Sequence, residues 1–154
     1  MGFLPEAILN FVAFLGWNPK TTQEIFSIEE LTQAFSFEGM NRSGPILDMV
    51  KLEWMNAQYI SKMETSDLVV CMTEYLKKYQ SDFYTHTFSK ASIEFNTKII
   101  HELKTRLKKL SEYIELTSFL YGTAELRSDL LVNPKMKIES IDDARTGLEF
   151  AREI

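Results

Sequence analysis

The sequence PILDMVKLEWMNAQYI, residues 45–60, predicts a helix with more polar side chains than packing alone requires. Asp48 is placed to cap this helix, because an aspartate before the first turn accepts hydrogen bonds from free backbone N–H groups. Asn56 and Tyr59 are expected to hydrogen-bond locally, where the helix turns. Three residues are expected to supply buried apolar surface: Leu52, Trp54 and Ile60. The polar residues raise the question of whether this helix also holds something in place.

Helical signals continue on both sides of this stretch. Residues 81–90, SDFYTHTFSK, are the least helical part of the chain and are predicted to form a loop. No segment shows the apolar–polar alternation of a strand, so an all-α fold is predicted. Besides the helix after Asp48, we expect helices over 5–16, 27–35, from 66 onward, 92–120 and from 140 onward.

Local signals support these helices. Pro5 is favoured in a first turn, and Ser27 with Glu30 forms a capping box. The apolar residues expected to face inward are Leu4, Ile8, Phe11 and Leu15 in the first helix; Leu68, Val69, Met72 and Leu76 in the fourth; and Ile99, Leu103, Leu107, Leu110 and Ile114 in the fifth.

Composition sets outer bounds on the class of protein. The chain has 154 residues and a net charge of −5, and 45% of its residues are hydrophobic, which is typical of a globular protein of one domain or two small ones. No run approaches the ~18 apolar residues of a membrane span, and no secretory signal is recognisable, so an intracellular, cytoplasmic location is expected. The single Cys71, among apolar residues, is expected to be an inert buried thiol.

Motifs for catalysis are not found in the sequence. There is no Gly-rich phosphate loop and no nucleophile beside a base. His86 and His101 lie far apart without metal-ligand spacing, so no metal site is expected.

A basic stretch, KIIHELKTRLKKL at residues 98–110, stands out in this acidic chain. Its cations should point outward, because the apolar stripe fixes the buried side of the helix. They are Lys98, Lys104, Arg106, Lys108 and Lys109. Two interpretations remain open. Glu102 could pair with Arg106 on a solvated face, or the cations could contact a phosphate backbone.

Three segments resemble, in order, successive parts of bacterial-type glutamyl-tRNA synthetases: GFLPEAILNFVAFLGW at residues 2–17, EIFSIEELTQAFSFEGMNRSGPILDMVKLEWMNAQYI at residues 24–60, and HELKTRLKKLSEY at residues 101–113. The most specific part is the order and spacing of Asp48, Lys51, Leu52, Trp54, Met55, Asn56, Tyr59 and Ile60. Leu47 and Val50 depart from the family pattern, where an aromatic residue and an acid are frequent. The order and spacing of the residues around them match the family pattern.

The resemblance implies an all-α architecture in which stem-contact helices are followed by the helical-bundle anticodon-binding domain of a class I aminoacyl-tRNA synthetase. It implies a stem-contact region at 1–62, the first helical part of the anticodon-binding domain at 63–130, and the start of a second, truncated helical part at 131–154. The chain would begin just after the catalytic Lys-x-Ser-Lys loop of a glutamate–tRNA ligase. We therefore expect a fragment that is not catalytic alone.

The same resemblance implies that the chain is a monomer and that its partner is tRNA(Glu). Binding to a membrane or to DNA is not expected. No cofactor is expected here, because ATP and magnesium would bind the absent catalytic domain. RNA contacts are expected at Arg42, Lys51, Lys98, Lys104, Arg106, Lys108 and Lys109. Lys104 falls where members that read the first anticodon base tend to place Arg, and a lysine offers a point charge rather than a bidentate fork. The alternative is a helical module that docks an acidic protein partner through its basic face.

Overall fold

The computed structural model describes residues 1–40 and 47–122, together with residues 140, 142 and 145. Met1–Tyr121 form one compact unit and Gly122–Ile154 a second. In the second unit, Arg145 pairs with Asp142 at 3.4 Å. The rest of the helix predicted from residue 140 lies outside the described residues. The region boundaries predicted at residues 62 and 130 stay predictions.

The described residues are helical and contain no β-strand. An isolated antiparallel bridge joins Trp17 and Met40. The α-helices are α1 (Pro5–Gly16), α2 (Ile28–Ala34), α3 (Met49–Lys62), α4 (Thr65–Tyr79), α5 (Ser81–His86), α6 (Ile93–Leu103) and α7 (Tyr113–Thr117). Short 3-10 helices lie at Phe37–Gly39, Phe88–Lys90, Leu110–Glu112 and Ser118–Tyr121. This confirms the all-α prediction. None of the helices in the described part of the chain is long and apolar enough to cross a membrane.

The predicted caps at the starts of α2 and α3 are confirmed. Ser27 Oγ accepts a 3.1 Å hydrogen bond from Glu30 N, and the Glu30 carboxylate accepts a 2.7 Å bond from Ser27 N. Asp48 Oδ1 accepts from the backbone N–H groups of Val50 and Lys51 at 2.9 and 3.2 Å. These bonds satisfy N–H groups that have no partner within the first helical turn.

The apolar face predicted for α1 is only partly right. Leu4 and Phe11 are buried and Leu15 packs against Phe11, but Ile8 is 43% exposed. Asn10 faces inward, where its Oδ1 accepts a 2.9 Å hydrogen bond from Phe26 N and lies 2.7 Å from Tyr59 Oη. This buried polar side chain turns the inward face of α1 away from the purely apolar stripe.

The main core lies among α1, α3, α4, α6 and α7, each of which contributes buried apolar side chains. The inward face predicted for α4 is confirmed, since Leu68, Met72 and Leu76 are fully buried and Val69 packs against them. Burial of apolar side chains is the main favourable contribution to folding.

The loop predicted over residues 81–90 is wrong. This segment forms α5 and the 3-10 helix Phe88–Lys90. Phe83 and Tyr84 pack against the main core, and Phe88 is only 4% exposed. Tertiary burial of these aromatic rings stabilises a helix that local propensity alone does not favour.

The continuous helix predicted over residues 92–120 is also wrong. α6 ends at Leu103, and a turn over residues 104–109 precedes the 3-10 helix that leads into α7. The turn ends where Leu110 N donates a 2.8 Å hydrogen bond to the carbonyl of Gly2. Gly2 has a φ of +78°, and a Cβ there would lie 2.5 Å from Ser111 N, so only glycine allows this approach. The predicted inward residues keep their place, because Ile99, Leu107 and Leu110 are buried and Leu103 and Ile114 pack against the core.

Candidate nucleic-acid interface

Four cations surround the end of α6. Lys98 lies on α6, while Lys104, Arg106 and Lys108 lie on the turn that follows it. Lys98, Arg106 and Lys108 are exposed, and Lys104 is half-buried. None of the four forms an ion pair with another residue of the described part of the chain, so their charges are available to a partner.

A groove of about 630 Å³ is lined by two of these cations, Lys98 and Arg106. Its walls are apolar and aromatic, with Lys98, Glu102 and Arg106 as the charged residues that line it. Phe119 is 61% exposed. Although Glu102 and Arg106 share the groove, no ion pair joins them, so the pair expected from their spacing is not formed. The full lining is Phe95, Lys98, Ile99, Glu102, Leu103, Arg106, Leu116, Phe119 and Leu120.

Lys109 differs from its neighbours in the basic stretch. Its Nζ lies 2.6 Å from a carboxylate oxygen of Glu53 and 3.9 Å from one of Glu112. The hydrogen bond between Lys109 and Glu53 raises the pKa of the lysine and lowers the pKa of the carboxyl. Lys109 therefore does not point freely outward, as the continuous helix predicted, but joins the turn to α3.

Lys51 is also held in place within the protein. Its Nζ bonds Glu24 at 2.7 Å and lies 5.6 Å from the centre of the Phe14 ring. The ammonium group is thus partly neutralised before any ligand arrives. Arg42, the other cation expected near this helix, lies outside the described residues.

The polar residues of α3 make long-range rather than local hydrogen bonds. Asn56 accepts a 2.8 Å bond from Leu4 N and donates a 2.5 Å bond to the carbonyl of Lys108. Tyr59 Oη donates to the Phe26 carbonyl, and burial raises the pKa of Tyr59 to about 12. The expectation of local bonds is therefore wrong. The sequence did hold a signal, because Asn56 lies four residues from both Leu52 and Ile60 and so shares their buried face.

Trp54 is the apolar residue of this helix for which the predicted burial is wrong. It is 41% exposed, whereas Leu52 and Ile60 are buried as predicted. Met55 is fully buried and packs with Leu52 and Phe11. The buried stripe of α3 thus runs through Leu52, Met55, Asn56 and Ile60.

The described residues offer little for metal or thiol chemistry. Within the ranges 1–40 and 47–122, no three His, Cys, Asp or Glu side chains are grouped so that they could hold a metal ion. Cys71 is partly rather than fully buried, and burial raises the pKa of its thiol. A raised pKa keeps the thiol protonated and unreactive.

Comparison with known proteins gives a consistent relationship. Residues 1–54 match the family model of the class I tRNA synthetases (E and Q), catalytic domain. The glutamate–tRNA ligase of Clostridium botulinum (strain Eklund 17B / Type B) is 38% identical over 149 residues, which cover 96% of this chain and 28% of that protein. The glutamate–tRNA ligase of Clostridium novyi (strain NT) is 36% identical, over 88% of this chain and 27% of that protein.

Solved structures show the same relationship. The glutamate tRNA ligase of Elizabethkingia meningosepticum CCUG26117, solved with its amino acid, superposes with a TM-score of 0.66 at 28% identity, covering 78% of this chain and 22% of that chain. The glutamate-tRNA synthetase of Elizabethkingia anophelis gives a TM-score of 0.64 at 27% identity. The chain spans between 22 and 28% of the length of the relatives compared here. Both the sequence and the fold of this chain are therefore similar to one segment of glutamate–tRNA ligases, which are class I aminoacyl-tRNA synthetases.

Proposed function

We propose that this chain is the tRNA-binding portion of a glutamate–tRNA ligase and that it contacts tRNA(Glu) mainly through Lys98, Lys104, Arg106 and Lys108. The observation that carries the proposal is the cluster of these four cations, without carboxylate partners among the described residues, in a protein whose net charge is −5. Local positive charge of this kind attracts the phosphate backbone. The relatives are named as ligases that act on tRNA, which supplies the class of partner.

The groove beside the cations suits a single-stranded segment of RNA. Phe95 and Phe119 expose 39% and 61% of their surface, and Arg106 lines the same groove. Unpaired bases stack on exposed aromatic rings, while adjacent cations track the backbone. In this proposal residues 1–62 brace the tRNA stem and residues 63–130 bind the anticodon arm.

Lys51 and Lys109 remain secondary candidates, because ion pairs with Glu24 and Glu53 offset their charges. Arg42 is also a secondary candidate for RNA contact, on the basis of the family resemblance alone. We propose no cofactor for the binding step, which requires only charge and stacking. Ligation itself would need ATP and magnesium in another part of the parent enzyme.

The test is a titration of the chain with a tRNA(Glu) transcript at several salt concentrations. Replacing both Lys104 and Arg106 with Ala should lower the affinity and flatten the dependence of log K on log salt by about one to two, since each phosphate contact contributes roughly 0.7–0.9. A matched control replaces Lys77 and Lys78 with Ala. These exposed lysines lie at the far end of α4 from Thr65, which bonds His101 near the end of α6.

The control variant has the same net charge as the test variant, so a specific site predicts a clear difference between them. Equal effects of the two substitutions, or unchanged affinity and salt slope in the Lys104/Arg106 variant, would contradict the proposal. Equally tight binding of poly-glutamate would favour docking of an acidic protein instead.

A further inference from the structure

The turn that carries the cations ends in a joint, which we define as residues 108–111 and their partners near the start of the chain. Four contacts tie the joint to residues 1–56. They are Asn56 Nδ2 to Lys108 O, Lys109 Nζ to Glu53 Oε1, Leu110 N to Gly2 O, and Ser111 Oγ to Met1 O. The path of the turn is therefore set by α6 at one end and by α3 and the first residues at the other.

Asn56 is the buried member of this set. It is 0% exposed, its Oδ1 accepts from Leu4 N at 2.8 Å, and its Nδ2 donates to Lys108 O at 2.5 Å. A side-chain amide is suited to this double role because it carries an acceptor and donors on one rigid group. One side chain thus fixes the entry to α1 and the end of the cationic turn at once.

The other restraints on the turn lie close to it in sequence, and the Glu112 carboxylate accepts hydrogen bonds from Lys108 N and Lys109 N at 2.9 and 3.3 Å. Arg106 N bonds Leu103 O at 2.7 Å, and Leu107 is buried at 1% exposure, but the side chains of Arg106 and Lys108 are exposed. The direction in which these two side chains project is consequently decided by the backbone between Leu103 and Lys108. Asn56 and Glu112 hold the second end of that backbone, and Asn56 is the one that ties it to α3.

We propose that Asn56 is a positioning residue for RNA binding, which orients Arg106 and Lys108 toward the phosphate backbone by holding the Lys108 carbonyl. This inference rests on the proposed function of the basic turn. Asn56 itself does not touch RNA in this scheme. It fixes the cationic turn relative to the amino-terminal helices, so that both can meet one RNA molecule in a defined geometry.

The test uses Asn56→Asp and Asn56→Ser in the 154-residue chain, with a tRNA(Glu) transcript as the probe. Aspartate keeps the acceptor for Leu4 N–H but removes the donor to Lys108 O, whereas serine is too short to make either bond and adds no charge. Each should weaken binding about three- to tenfold, the scale of one lost buried hydrogen bond. In each background, Arg106→Ala should weaken binding less than it does in the unaltered chain, because the cation is already displaced.

The matched control is Tyr59→Phe. It removes a partly buried hydrogen bond from the same helix α3, but one that leads to Phe26 rather than to the turn. Stability should fall, while tRNA affinity and the full effect of Arg106→Ala should remain. Amide hydrogen exchange of residues 106–110, measured without RNA, should accelerate in the Asn56 variants alone.

The outcomes separate the two proposals. If Arg106→Ala weakens binding by the same factor with and without the Asn56 substitutions, the positioning role is wrong and the basic turn still binds RNA. If replacing Lys104 and Arg106 has no effect in the unaltered chain, the proposed function is wrong. In that case, unchanged exchange at residues 106–110 in Asn56→Ser would also rule out that Asn56 holds the turn.

Discussion

Tyr59 Oη donates a 2.6 Å hydrogen bond to the carbonyl oxygen of Phe26 and lies 2.7 Å from Asn10 Oδ1. Asn10 Oδ1 also accepts from Phe26 N. Helices α1 and α3 and the entry to α2 thus meet at one phenol. The partly buried hydroxyl links these three elements, and the ring of Tyr59 also packs against the main core, to which α1 and α3 contribute Ala7 and Ile60.

Tyr59→Phe should lower the free energy of unfolding by about 1–2 kcal/mol, because the buried Phe26 carbonyl loses its donor. Urea unfolding monitored by circular dichroism measures this change. Tyr79→Phe is the matched control, since Tyr79 is 59% exposed and its substitution should stay within about 0.5 kcal/mol. Equal effects of the two substitutions would contradict the role given to Tyr59.

Gly39→Ala should destabilise the protein by about 1–3 kcal/mol, the usual range for overpacking a tight site. A Cβ at Gly39 would lie 2.5 Å from Trp17 Nε1 and 2.8 Å from the Asn18 carbonyl oxygen. Gly16→Ala is the control, because a Cβ there meets nothing within 4 Å. Thermal unfolding of both variants checks the difference, and a stable Gly39→Ala would show that the bridge at Trp17 and Met40 can move aside.

The ion pair of Glu53 and Lys109 should make the stability of the joint dependent on pH. The pKa of Glu53 is lowered from 4.5 and that of Lys109 is raised from 10.5, mainly by their mutual hydrogen bond. The stabilisation is therefore complete between these ordinary values, is lost as pH falls through the lowered pKa of Glu53, and is lost as pH rises through the raised pKa of Lys109.

Glu53→Gln should accordingly unfold at lower urea concentration than the unaltered chain at neutral pH, and the difference should shrink as the pH falls through the lowered pKa of Glu53. Urea titrations at neutral pH and at a series of acidic pH values make the comparison. A gap of the same size at acidic pH would show that Glu53 stabilises through packing rather than through its charge.

Lys104→Ala distinguishes contact with phosphate from contact with a base. A phosphate contact predicts equal weakening for tRNA transcripts with any first anticodon base, because a point charge reads no base edge. A base contact predicts a loss confined to the cognate base, by a factor that corresponds to roughly 1–3 kcal/mol. Filter binding with four transcripts that differ only at this base measures the effect, and Lys98→Ala provides the control for loss of one charge.

The isolated chain should not support pyrophosphate exchange with ATP and glutamate. No phosphate-binding loop occurs in the sequence, and the described residues hold no group suited to a metal ion. Exchange above the level of a heat-denatured sample would contradict this prediction. Equilibrium dialysis with ATP gives an independent measurement.

The sequence predicted well those features that neighbouring residues decide. Ser27 and Glu30 specify the start of α2, and Asp48 the start of α3, because each cap is made within three residues. The inward face of α4 follows from its spacing for the same reason. The family resemblance likewise rests on the local order of residues in α3.

Features decided by distant contacts were not predictable from periodicity. The spacing of Ile99, Leu103, Leu107 and Leu110 fits one helix, yet the chain turns after Leu103 because Asn56 and Gly2 bind the backbone of Lys108 and Leu110. For the same reason Lys109 was placed outward, although it pairs with Glu53. The buried role of Asn56 required knowing that its face meets the first residues of the chain.

The bond between Gly2 and Leu110 closes the chain on itself. Because the Gly2 carbonyl oxygen lies 2.8 Å from Leu110 N, the polypeptide between them forms a closed loop whose two ends are in contact. The conformational entropy lost on closing such a loop depends only weakly on its length. A contact between these distant positions therefore costs little more entropy than one across a shorter loop. If the chain frays at Gly2, the turn that ends at Leu110 loses this hydrogen bond at the same time. The first residues of the chain and the cationic turn should therefore open and close together.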